Sequence, residues 1–64
     1  MPLITMKIGE LSSQKKKELI EKLTQTAVEV TSIPASSYMV FIEEYELDSI
    51  GFGGQTISEK MGTK

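Results

Sequence analysis

Residues Leu3–Ile8 alternate in character. Ile4, Met6 and Ile8 fall on one side of an extended chain, and Leu3, Thr5 and Lys7 on the other. Period-two alternation over six residues predicts a strand. Gly9, Glu10 and Leu11 break the pattern, and the period then changes. Leu19, Ile20, Leu23, Ala27 and Val30 recur at three- and four-residue spacing, which predicts an amphipathic helix with one apolar stripe. Ser12 and Ser13 suit its N-cap, because a hydroxyl there accepts from an orphan backbone N–H. Lys17 with Glu21, and Glu18 with Lys22, stand four residues apart on its wet side. Pro34 biases Ile33 away from helical geometry, so the helix stops near Thr31 or Ser32.

Residues 34–37 read as a turn with 3₁₀ character, and 38–45 as a second strand. Val40, Phe41 and Ile42 are continuously apolar, which predicts cover on both faces of that strand. Glu46, Asp48, Ser49 and Gly51 mark a loop. The run Ile50-Gly51-Phe52-Gly53-Gly54 is glycine-dense and fits a small hairpin or a close backbone approach. Residues 55–64 are polar and carry little pattern. No repeat or linker interrupts the chain, so 1–64 reads as one α+β domain. Its order is strand, helix, strand, hairpin. A helix between two strands makes them parallel, with a right-handed crossover. A two-stranded sheet under one helix keeps one bare face and two edges. At 64 residues a single core supplies only about 3–5 kcal/mol. Both arguments predict self-association.

Composition narrows the chemistry. The chain has no Cys, His or Trp, and all seven of its basic residues are Lys. Disulfides, Cys/His metal sites and Ser–His or Cys–His catalysis are thereby excluded. Without Arg there is no bidentate clamp for carboxylate or phosphate. The net charge of −2 and pI near 5.0 give no basic footprint for nucleic acid. No apolar run has the length of a membrane span, and no signal peptide is evident. A soluble cytoplasmic protein is expected, with neither nucleic acid nor membrane as partner. Any acid–base group must be Asp, Glu, Lys, Tyr or a chain terminus.

Three places are candidates for chemistry. The first is Pro2. Loss of Met1 would leave a secondary amine, and an α-amino group has a reference pKa of about 7.7–8. An apolar pocket disfavours its ammonium form, making it a general base able to return its proton. The second is the glycine run 51–54, whose N–H groups could cradle phosphate. Tight turning or subunit contact is the plainer reading. The third is the acidic group Glu43, Glu44, Glu46 and Asp48. Its spacing is not that of an EF-hand, and strand neighbours Glu43 and Glu44 point to opposite faces.

Taken together, Met-Pro-Leu-Ile at the start, a strand–helix–strand order and a late Gly51-Phe52-Gly53-Gly54 resemble the 4-oxalocrotonate tautomerase family over nearly the whole chain. The resemblance implies β-α-β units that pair into a four-stranded sheet with two helices, and hexamers of three such dimers. It implies an enol–keto tautomerase acting on a small 2-hydroxydienoate or enolpyruvate-like substrate, with mature Pro2 as general base and proton shuttle. It implies no metal or organic cofactor. Family members usually carry an Arg where this chain has Met39, and another before the helix, where residues 9–11 hold none. Ile50 stands where an aromatic residue often precedes the glycine motif. Lys7, Lys15, Lys16, Tyr38 or backbone N–H groups are the candidates left to stabilise an enolate. Two alternatives stay open. One is a non-catalytic oligomeric binding module of the same fold, and the other a dehalogenase- or decarboxylase-like member.

Overall fold

The computed structural model describes residues 1–61. Strand β1 spans Leu3–Ile8, helix α1 Ser13–Thr31 and strand β2 Met39–Glu44. A 3₁₀ turn at Ala35–Ser37 joins α1 to β2, and a second at Leu47–Ser49 follows β2. Then come the short strands β3 (Gly51–Phe52) and β4 (Gln55–Thr56), and a one-turn helix α2 (Ile57–Lys60). β1 and β2 pair in parallel, from Leu3 opposite Met39 to Ile8 opposite Glu44. β3 and β4 form a separate antiparallel hairpin.

The start of α1 follows from Ser12, whose hydroxyl accepts from the Lys15 N–H at 3.2 Å. Its end is set by Ser32, which adopts a left-handed conformation (φ 64°) and donates its N–H to the Val28 carbonyl at 2.8 Å. That position favours glycine, and nothing in the serine announces it. The predicted pair Glu18–Lys22 closes at 2.9 Å.

α1 covers one face of the sheet. Ile4, Met6, Ile8, Val40 and Ile42 are half-buried beneath Leu19, Leu23 and Ala27. The expected stripe is corrected at two positions. Thr24 and Val28 are half-buried in its place, while Ile20 and Val30 turn outward, Val30 to 80 % exposure. The other sheet face is open, so cover on both sides of β2 is not met within one chain. Leu3, Met39 and Phe41 lie there 57, 42 and 44 % exposed.

The C-terminal segment carries more structure than its composition suggests. Gly53 and Gly54, with φ of 62° and 89°, make the two-residue turn whose positive φ values match strand twist. The Thr56 hydroxyl then accepts from the Glu59 N–H, and the Glu59 carboxylate accepts from the Thr56 N–H. This capping box starts α2. The hairpin and α2 pack on the turn at Leu47–Ser49 rather than under α1, so the segment extends as an arm.

Among the described residues none is fully buried. The accessible surface is 4952 Å², against about 4,100 Å² expected of a folded monomer of this mass. The radius of gyration is 15.2 Å, where a compact chain of this length gives about 11 Å. A lone copy therefore leaves apolar surface in water that its own chain does not cover. Among the described residues, no helix is long and apolar enough to cross a membrane.

Candidate active site

Pro2 stands at the head of β1. A strand's first residue is where proline is tolerated, because the missing N–H is not needed there. Its carbonyl accepts from the Met39 N–H at 3.1 Å, the first rung of the parallel sheet. The residues beside it are apolar: Leu3 and Met39 face each other across the register on the open face, with Phe41 next along β2. Tyr38 precedes Met39 and turns the other way. Its hydroxyl shares a hydrogen bond with the Thr31 hydroxyl and donates to the Ala27 carbonyl at 3.3 Å. That ties the start of β2 to the last turn of α1.

Lys7 and Ile50 lie at the opposite end of the sheet. They share a cavity of about 340 Å³ with Ile8, Tyr45, Ser49 and Gly51. Lys7 stands five positions after Pro2, or roughly 16 Å at the rise of a parallel strand. The five candidate site residues thus form two groups within one chain: Pro2, Tyr38 and Met39 at the head, Lys7 and Ile50 at the foot. A site that joins both groups needs more than one copy.

Charges collect at the foot. Lys7 Nζ sits 2.9 Å from Glu43 Oε1, and the Tyr45 hydroxyl donates to the same oxygen at 3.2 Å. The hydrogen bond from Lys7, helped by that from Tyr45, holds the Glu43 carboxyl below its usual range, and the same contact raises Lys7. Glu44, on the other face, accepts from the Leu11 N–H at 2.8 Å and from Lys16 Nζ at 2.9 Å. The backbone bond and then the Lys16 contact lower its carboxyl. Glu44 pins the loop before α1 to the end of β2, a role sequence reasoning missed. The only available signal was its placement opposite Glu43 on the strand. The acidic group is therefore split between two lysines on two faces. Lys15 lines a second cavity, of about 260 Å³, with Ile8, Leu11, Glu18, Leu19 and Lys22.

A parallel β-α-β unit headed by Pro2, with a glycine hairpin arm, is the architecture of the small tautomerases. The family profile described as "Tautomerase enzyme" matches residues 2–60, and the chain belongs to that family, in its 4-oxalocrotonate tautomerase group. It is 38 % identical over 61 residues to a "Probable tautomerase" of Bacillus cereus, covering 94 % of this chain and 100 % of that one. It is 33 % identical over 60 residues to the 2-hydroxymuconate tautomerase of Bacillus subtilis, covering 92 and 97 %. Among solved structures it is similar to TomN, a 4-oxalocrotonate tautomerase homologue of the tomaymycin biosynthetic pathway. The TM-score is 0.90 at 30 % identity, over 97 % of each chain. Family membership supports an isomerase of the tautomerase type.

Proposed function

We propose that the mature chain, beginning at Pro2, is an enol–keto tautomerase with Pro2 as its general base and proton shuttle. The carrying observation is the placement of Pro2. Its carbonyl is fixed by the Met39 N–H at 3.1 Å, which holds the ring in place while committing no interaction through the nitrogen. With Met1 attached that nitrogen is a tertiary amide and carries no basic lone pair. With Met1 removed it is a secondary amine in an apolar setting, which lowers its pKa toward neutrality. The amine takes the proton from an enol hydroxyl. The C–C double bond moves to C–O, and the ammonium returns a proton to carbon. The product is the keto isomer, and the amine is regenerated. Small 2-hydroxydienoates and enolpyruvate-like compounds contain this reacting unit, and no cofactor is required by the step.

The enzyme works in the cytoplasm as a homo-oligomer, a dimer with a four-stranded sheet or three such dimers. Two observations support assembly: the open face bearing Leu3, Met39 and Phe41, and the division of site residues between the two ends of one sheet.

The test is turnover of phenylenolpyruvate and 2-hydroxymuconate by Met-free protein beside Pro2→Ala. General acid–base groups contribute about 10²–10⁴-fold, so Pro2→Ala should lose at least about 100-fold in kcat/KM. Equal rates would remove Pro2 from the reaction. Retention of Met1 in protein isolated from cells, read by intact mass, would favour a non-catalytic binding module instead.

A further inference from the structure

We propose that the Pro2 site selects neutral enols, such as an ester, over the corresponding carboxylates. This rests on the tautomerase reading above and specifies its substrate class. The reacting unit is the same, but the substituent carried as a carboxylate by an enolpyruvate is uncharged in the preferred substrate.

Among the described residues, the head of the sheet offers an anion no charged partner. In the single chain its exposed side chains on the open face are Leu3, Met39 and Phe41, with the uncharged Thr5 opposite Phe41. The Met39 N–H is already given to the Pro2 carbonyl, and the Tyr38 hydroxyl to the end of α1. An anion moved from water to such a surface loses solvation without gaining a partner.

Among the described residues, the lysines are paired or placed elsewhere. Lys7 is held by Glu43, Lys16 by Glu44 and Lys22 by Glu18, each at 2.9 Å. Lys60 lies over the Phe52 ring, 5.7 Å from its centre. Lys15 shares its cavity with Glu18, and Lys17 stands with it in the first turns of α1. That end of the helix is joined to the foot of β1, away from Pro2. A neighbour that brings Lys7 to this Pro2 brings Glu43 with it, so that pair adds no net charge there.

The proton transfer fits a neutral substrate. When Pro2 takes the enol proton, a neutral enol leaves an ammonium beside an enolate, and the two charges match. A carboxylate-bearing enol leaves one further negative charge, for which the head of the sheet holds no counterion among the described residues.

Phenylenolpyruvate and its methyl ester share one enol and one ring and differ in a single charge. Met-free protein, with Met1 removal verified by mass, should show kcat/KM at least tenfold higher for the ester. Met39→Arg, and Met39→Lys as a second variant, place a cation beside Pro2 at a position 42 % exposed in the single chain. Each should shift the ester-to-acid ratio at least tenfold toward the acid. A wild-type ratio below tenfold, in protein whose turnover depends on Pro2, overturns the neutral-substrate assignment and leaves the tautomerase standing. A ratio that neither Met39 variant moves overturns the apolar head as its cause. If Pro2→Ala retains the wild-type rate on both compounds, the tautomerase reading itself fails.

Discussion

Phe41 offers the sharpest test of whether the open sheet face is an interface between copies. Its neighbours in sequence, Val40 and Ile42, turn under α1, while Phe41 turns away and stays 44 % exposed. A phenylalanine presents roughly 200 Å² to water when extended, so about 90 Å² remains uncovered in one chain. At about 25 cal/mol per Å², covering that area contributes about 2 kcal/mol per copy. That converts to roughly 30-fold in an association constant for each copy whose Phe41 is covered. Phe41→Ala removes most of this area and leaves the face beneath α1 untouched. Sedimentation velocity should therefore show wild-type protein as an oligomer at micromolar concentration and Phe41→Ala shifted toward smaller species. Circular dichroism should show the helix unchanged. A folded wild-type monomer of 7.1 kDa, or a variant that associates as tightly as wild type, would refute the reasoning.

Two further expectations follow from local geometry. The Glu44 carboxyl titrates below its ordinary range, through the Leu11 N–H first and Lys16 second, so the unfolded chain binds that proton more readily. Stability from this group is complete above the ordinary Glu value of about 4.3, and it is lost as pH falls through the lower folded value. Glu18 and Glu43 are lowered in the same direction. Glu44→Gln should therefore flatten part of the acid-side slope of thermal stability; an unchanged slope would show that the loop is not held this way. Gly53 has φ of 62° and nothing within 4 Å of where a Cβ would stand. Gly53→Ala thus tests backbone strain alone and should cost about 1–2 kcal/mol of hairpin stability, with Gly53→Asn milder. Faster amide exchange at residues 55–57 would report it, and equal exchange in Ala and Gly forms would rule strain out.

The elements that sequence predicted well are those with many residues in one period. Six alternating positions were enough for β1, and Ser12 with Pro34 bracketed α1 closely. β2 was expected over 38–45 and runs Met39–Glu44, because Tyr38 is spent on the helix end. Where the reading fell short, the cause was local or lay outside one chain. α2 has a single turn, too short for periodicity, and its signal was the Thr56-x-x-Glu59 box alone. Val30 matched the helical spacing, yet the last turn of α1 leaves it 80 % exposed. The continuous apolar run at Val40 to Ile42 predicts cover on both faces, but α1 supplies only one. Of the site, the apolar character around Pro2 was legible from Leu3 and Met39. The distance from Pro2 to Lys7 follows from the length of β1, but the place of Ile50 beside Lys7 was not legible, since it depends on which end of the sheet the arm packs against.

Met1 is 90 % exposed, and the rung at the head of the sheet is made by the Pro2 carbonyl. A proline nitrogen has no hydrogen to donate, so cutting the bond between Met1 and Pro2 removes no hydrogen bond from the sheet. Folding and the birth of the amine are separable events: a peptidase can mature a finished chain without opening it. Unprocessed chains would share the mature shape and its contact surfaces while lacking the basic nitrogen. With Pro2 as the proposed base, they would enter the same assemblies as silent subunits, and the efficiency of methionine removal would set the activity per oligomer.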